Sequence, residues 1–254
     1  MDTRWHQQFI DRWHRYFGDA PLPVALWYSD HPVLEAAPSP PERRCFVHAL
    51  MEVVGGRPLA FDEPSVGCPG GKRYLGFTQS LSPTIHYFLS CGIPGRLEGE
   101  RYKKTPEMAR RAIDRIPPFT APARCLECAR WDQVPAGVTP DLVVFFAPAD
   151  VVAGLFTLAN FDRADTEGVI APFGAACSSI VRHPWLEREA AEPRGVLGCF
   201  DPSARPHVDA GWLSFAVPMV RFESIANDMD ESFLIAPAWQ KVRERMPGGS
   251  RAGD

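Results

Sequence analysis

Four of the seven cysteines stand where a thiolate could bind a soft metal or act as a nucleophile. Cys68 sits in Gly67-Cys-Pro-Gly-Gly71, whose glycines permit close backbone approach and unusual torsions. Cys177 follows Phe173-Gly-Ala-Ala and is expected to begin a helix, where the dipole and free N–H groups favour a thiolate. Cys199 ends a predicted strand in Gly198-Cys-Phe-Asp-Pro202, and Cys45 lies early in a predicted helix beside Arg43 and Arg44. Thiolates bind iron–sulfur clusters or zinc because these metals are soft or borderline, and four protein ligands close the shell. Cys45, Cys68, Cys177 and Cys199 are therefore a candidate cage for an iron–sulfur cluster, with zinc as the lesser alternative. Their spacing matches no compact ferredoxin or zinc-finger pattern. Taken singly, each also reads as a buried small hydrophobe, and Cys177 also reads as a lone activated thiol.

Cys125-Leu-Glu-Cys128 is the one C-x-x-C in the chain. It follows a proline-rich stretch and precedes Trp131, which reads as an irregular strand rather than the helix start of a redox motif. Structural thiols are the leading reading of this secondary pair, with two metal ligands as the alternative. Cys91, before Gly92, reads as a helix-end packing residue. Gly70-Gly71-Lys72-Arg73 could hold an anion through backbone N–H groups and two cations, although such a stretch is more often a turn with a solvated basic pair. Arg205 is a second candidate anion contact. Templates for phosphate loops, dinucleotide folds, zinc proteases and serine hydrolases are missing from the sequence. The seven histidines are scattered, and the acidic run Asp228, Asp230 and Glu231 reads as a solvated helix face.

The elements that must position these groups follow from apolar spacing. Trp5, Phe9, Trp13 and Phe17 recur every four residues and predict an N-terminal helix docked on the core, stopped at Gly18. Pro23–Tyr28 reads as a buried strand, and the connector Pro38-Ser-Pro-Pro41 leads to a helix over Arg43–Val54. Residues 57–80 read as loop and short strand, followed by a short helix from Ile85 to Ser90. Thr105-Pro106-Glu107 combines an N-cap, a first-turn proline and a first-turn acid, opening a helix to about Ile116. Asp141–Ala147 predicts a buried strand and Ala149–Phe161 a helix. Further strands are expected at Val169–Ile170, Val196–Phe200 and Trp212–Val217, with helical structure at Ser178–Arg182 and over 218–246, broken near Pro237. Strands alternating with helices through irregular connections predict an α/β or α+β domain with a mixed sheet. The expected organisation is a helix over 1–18, one globular domain over 19–246 and a tail over 247–254, with no tandem repeat.

Composition narrows the function classes. The chain has 254 residues, 45% of them hydrophobic, and 27 basic against 31 acidic residues give a net charge of −4. That length buries a sizeable core, and the charge balance gives no reason to expect nucleic acid as a partner. The N-terminal residues carry no apolar run of signal-peptide length, and no run approaches the roughly 18 apolar residues of a membrane helix. A cytoplasmic protein with reduced thiols is expected, with no membrane association and with a small-molecule ligand or redox partner. Prolines, 26 in all against a usual ~5%, cluster at predicted strand edges and helix ends rather than in one disordered tract.

Taken in order, Pro23-Val-Ala-Leu26 before the Cys45 helix, Cys68-Pro-Gly-Gly71 with Leu75-Gly76, Pro172-Phe-Gly-Ala-Ala-Cys177, and Gly198-Cys199 with Arg205 leading to Phe215-Ala-Val-Pro218 carry a resemblance. Over roughly residues 20–245 the chain resembles the uncharacterised prokaryotic family called domain of unknown function 169. Cys-Pro-Gly-Gly is the most specific piece. The resemblance implies that cysteines at the positions of Cys45, Cys68, Cys177 and Cys199 recur in the family, which strengthens the case for a metal or cluster. It implies no reaction. The N-terminal Trp/His helix and the Cys125/Cys128 pair depart from the family pattern. The expectation is a redox or small-molecule role on the four thiols, near Gly70–Arg73; the alternative is a metal-free module gripping an anionic small molecule through its glycine-rich loops.

Overall fold

The computed structural model describes residues 2–34 and 45–248. The proline connector at 38–41, Arg43, Arg44 and the last residues of the expected tail lie outside these. In chain order the elements are α1 (Thr3–Phe17), β1 (Val24–Ser29), α2 (Phe46–Val54), β2 (Leu59–Phe61), α3 (Pro69–Tyr74), α4 (Ile85–Phe88), α5 (Pro106–Asp114), β3 (Cys125–Arg130), β4 (Leu142–Pro148) and α6 (Ala149–Leu158). They continue with β5 (Val169–Ile170), a π-helical stretch (Ser178–Arg182) running into α7 (His183–Glu187), β6 (Gly195–Gly198), β7 (Trp212–Pro218), α8 (Met219–Asp228) and α9 (Pro237–Arg243).

Local chemistry sets the clearest boundaries. Asp2 caps α1 by accepting from the Arg4 amide at 2.9 Å. Gly18, at φ 62°, turns the chain out of α1 while its N–H bonds the His14 carbonyl. Thr105 caps α5 through Oγ, which accepts from the Met108 amide at 3.2 Å.

The strands form one seven-stranded sheet in the order β2-β3-β1-β4-β7-β6-β5. All pairings are antiparallel except β5 with β6, so the fold is α+β with a mixed sheet. Alternation along β4 divides the core in two. Val143, Phe145 and Ala147 face a layer built on α1, α6, α8 and α9, while Leu142, Val144 and Phe146 face one built on α2 and the π-helical stretch.

On the first face, Phe9, Trp13 and Phe17 of α1 are buried against Trp131, Phe145, Phe222 and Trp239. The expected docking of this helix is what the structure has. The Trp239 indole donates to the Tyr16 carbonyl at 2.9 Å, joining α9 to α1. Asp230, expected on a solvated face, is exposed, and it accepts from Arg12 Nε at 2.6 Å and from the Tyr16 hydroxyl at 2.8 Å. It anchors α1 to the turn after α8.

A motif recurs across the sheet centre. Phe145-Phe-Ala-Pro148 ends β4 and passes directly into α6, and Phe215-Ala-Val-Pro218 ends β7 and passes directly into α8. The two strands pair with Phe145 opposite Phe215, their ring centroids 6.2 Å apart. Each proline suits the N-cap because the first helical turn leaves its N–H groups unbonded in any case.

Candidate functional site

The second face of the sheet gathers the four distinctive thiols. Cys45 is the N-cap of α2 and Cys68 the N-cap of α3. Cys177 lies directly before the π-helical stretch, and Cys199 leaves β6 at φ 63°. A positive φ at a non-glycine residue is strained and tends to be kept at functional sites. Cys45 and Cys68 are half-buried, while Cys177 and Cys199 are buried.

Burial is the first cause of the shifts resolved for Cys45, Cys177 and Cys199, and neighbouring cysteines add to each. Cys177 is pushed well above the ordinary thiol value by burial, then by the proximity of Cys45, Cys68, Asp201 and Cys199. Cys45 is raised by burial, against the backbone N–H groups of His48 and Val47, with Cys68 and Asp201 adding to the rise. Cys199 is pushed up to about 11 by burial, with Asp201 and Cys45 adding to the rise and the nearby Ser214 hydroxyl and Arg205 charge opposing it. The structure therefore brings Cys45, Cys68, Cys177, Cys199 and Asp201 within electrostatic reach of one another, although they come from distant parts of the chain. As neutral thiols they pack like small hydrophobes; as metal ligands they would have to release their protons. At Cys177, where an activated thiolate is one expectation, burial and the neighbouring thiols favour the neutral form.

Polar groups missed in the sequence surround the thiols. Asp201 is buried and raised from its ordinary value by burial, while its Oδ2 accepts from Ser203 Oγ at 3.0 Å. Tyr74, at the end of α3, is raised by burial and senses both Arg182 and Cys177. The Arg182 guanidinium lies 5.9 Å from the Tyr74 ring centroid. The signal in the sequence was faint: an arginine closing the run Ser178-Ser-Ile-Val-Arg182, soon after Cys177.

The glycine-rich segment differs from the loop expected of it. Pro69–Tyr74 is the helix α3, so Gly70, Gly71, Lys72 and Arg73 lie in helical turns. Pro69 supplies a favourable first position, and close packing overrides the poor helix propensity of two glycines. A Cβ on Gly71 would lie 3.1 Å from Val66 Cγ1 and 3.6 Å from Cys68 Cβ. The Lys72 amide bonds the Cys68 carbonyl at 2.9 Å, and Arg73 Nη1 donates to the Gln79 carbonyl. Arg205 lies beside Cys199 and donates through Nη1 to the Trp212 carbonyl.

Cys125 and Cys128 are not a chelating pair. They lie three residues apart on β3, and alternation sends their side chains to opposite faces of the sheet. Cys128 is fully buried on the thiol side, opposite Leu26 and Leu59. Cys91 is exposed rather than packed. An open cleft of about 540 Å³, lined by Tyr28, Pro122, Asp141, Trp185, Arg188 and Glu189 among others, contains none of the sequence-derived candidates.

Among the described residues no group of three His, Cys, Asp or Glu side chains is arranged to hold a single metal ion. No helix among them is long and apolar enough to cross a membrane. The fold is that of an α+β protein with a single mixed sheet of seven strands, with Cys177 and Cys199 in the core on one face of it and Cys45 packed against that core. Residues 20–228 match the family called domain of unknown function 169, described as an uncharacterised ArCR, and the chain belongs to that family. No curated protein and no solved structure matches the chain. The family match covers the four clustered cysteines and leaves out α1 and α9, which pack on each other.

Proposed function

We propose that this protein holds an iron–sulfur cluster on Cys45, Cys68, Cys177 and Cys199 and uses it in redox or small-molecule chemistry. The observation that carries the reading is the mutual proximity of the four thiols at the starts of α2, α3 and the π-helical stretch and the end of β6. Zinc, which four thiolates also bind, is the lesser alternative; among the described residues no three His, Cys, Asp or Glu side chains are arranged to hold a single metal ion. A cytosolic setting, where thiols stay reduced, accords with seven free cysteines.

Anaerobic purification, with iron and acid-labile sulfide analysis and visible spectroscopy, tests this. Iron and sulfide in comparable amounts with broad visible absorption are expected, lost in Cys177→Ser and Cys199→Ser and retained in Cys91→Ser and Cys125→Ser. Colourless protein that takes up no iron on anaerobic reconstitution overturns the reading and leaves a metal-free binding module.

A further inference from the structure

Arg182 is 2% exposed, and neither its Nε nor its Nη2 has a hydrogen-bond partner. Those two atoms make one edge of the guanidinium, with parallel N–H bonds spaced to fit two oxygens of a carboxylate, phosphate or sulfate. Among the described residues no carboxylate forms a salt bridge with it; the contact it does make is with the Tyr74 ring. Burying a cation without a counter-ion is strongly unfavourable, so such a residue is expected to meet an anion when the protein works. Ser178, nearly one helical turn earlier, is also buried and its Oγ is also unpartnered. Tyr74 is near both Arg182 and Cys177 and is itself half-buried. The site therefore adjoins the thiols through Tyr74, which senses both Arg182 and the buried Cys177.

We propose that the Nε/Nη2 edge of Arg182 binds a small oxyanion beside the thiol cluster, with the Ser178 hydroxyl as a further donor. The ligand is a small molecule bearing a carboxylate, or an inorganic or organic phosphate or sulfate. Arg182 supplies two directed hydrogen bonds, which suit discrete oxygen atoms better than the diffuse charge of a cluster. The site does not depend on whether the thiols hold metal.

The test is titration of the purified protein with acetate, inorganic phosphate and sulfate in turn, followed by calorimetry and by thermal unfolding. At least one of the three is expected to bind saturably and raise Tm, and the arm that responds identifies the oxyanion. Arg182→Met is expected to abolish that response. Arg182→Lys, which keeps the charge and loses the fork, is expected to weaken binding at least tenfold, and it serves alone if Arg182→Met does not fold. No saturable binding of any of the three to the wild type overturns the proposal, as does an undiminished response in the variants. Iron content of the same samples reports on the cluster separately, so the two proposals fail independently.

Discussion

Arg221 donates through Nη1 and Nη2 to the two carboxylate oxygens of Asp162, each at 2.6 Å, and Nη2 also bonds the Ala159 carbonyl at 2.8 Å. The guanidinium belongs to the first turn of α8, and Ala159 and Asp162 follow α6. The pair thus ties together the two helices that leave the sheet through Pro148 and Pro218. It is bidentate, with a buried cation and a carboxylate about one-third exposed.

The hydrogen bonds from Arg221 hold the Asp162 carboxyl below its ordinary value, against a smaller opposing effect of burial. A depressed carboxyl stabilises the folded state above its unfolded value of about 3.9, and that stability is lost as pH falls through the lower folded value. Asp162→Asn should therefore lower stability by about 2 kcal/mol near neutral pH, in the range for hydrogen bonds to charged groups. Asp228, raised by burial and by the nearby Asp162, contributes with the opposite sign and should gain from the same substitution. Urea titrations between pH 3 and 7 check this: the gap between wild type and variant should close toward the acid end. A gap independent of pH would show that the ion pair contributes little.

Gly154 lies inside α6, where alanine would ordinarily be preferred by roughly 1 kcal/mol. Here a Cβ would sit 2.5 Å from Trp239 Cη2 and 2.8 Å from Phe17 Cε1. Both are ring atoms in the packed layer between α1 and α9, so neither can move without opening that contact. Gly154→Ala is expected to destabilise by about 1–3 kcal/mol as an overpacked core position. Thermal unfolding followed by tryptophan fluorescence decides between the two effects: a higher Tm would mean that the α1–α9 layer yields easily.

The parts of the fold legible in the sequence are those where one short segment carries its own instructions. Thr105-Pro106-Glu107 opens α5 by local hydrogen bonding, and Trp5, Phe9, Trp13 and Phe17 define a buried stripe by spacing alone. β4 followed by α6 is equally plain, an apolar run and then a helix with Pro148 between them. α3 was not legible because Gly70 and Gly71 argue locally against a helix; what favours them is close packing on Val66 and Cys68, a tertiary fact. The same holds for the thiols. Their local settings marked Cys45, Cys68, Cys177 and Cys199 as unusual, but their convergence depends on how the sheet brings β6 toward the starts of α2 and α3. Arg182 was silent because a charged residue in a short apolar run is ordinarily solvated, and only burial without a partner marks this one.

Thiol labelling of the folded protein tests the geometry of Cys125-Leu-Glu-Cys128. Cys91 is exposed, Cys125 half-buried and Cys128 fully buried. Burial raises the Cys125 thiol and pushes that of Cys128 much higher. Alkylation near neutral pH, read by mass spectrometry, should modify Cys91 first, Cys125 more slowly and Cys128 only after unfolding. Mild oxidation should give no Cys125–Cys128 disulfide in native protein, because the two side chains leave opposite faces of β3. Recovery of that disulfide in good yield without loss of structure would contradict the register of β3 against β1.

Glu127 occupies the neighbouring position on β3 and does a different job. Its carboxylate is fully buried, with Oε1 accepting from the Trp27 indole at 3.0 Å and Oε2 accepting from the Val33 and Leu34 amides at 2.8 Å each. Trp27 stands directly opposite it on β1, so one side chain couples a cross-strand pair to the segment that follows β1. Glu127→Ala removes the acceptor from three N–H donors; the indole is left in the core, while the amides near the exposed Val33 can turn to water. The expected cost is therefore about 2–3 kcal/mol, mainly the indole's unmet hydrogen bond and the space left by the side chain. Glu127→Gln keeps a carbonyl oxygen but places a donor group where an acceptor is needed, and should cost less. Urea unfolding measures both variants, and limited proteolysis should show faster cleavage near His31–Leu34 in Glu127→Ala. An unchanged urea midpoint in Glu127→Ala would mean that β1 and β3 hold Trp27 and the following segment without this carboxylate.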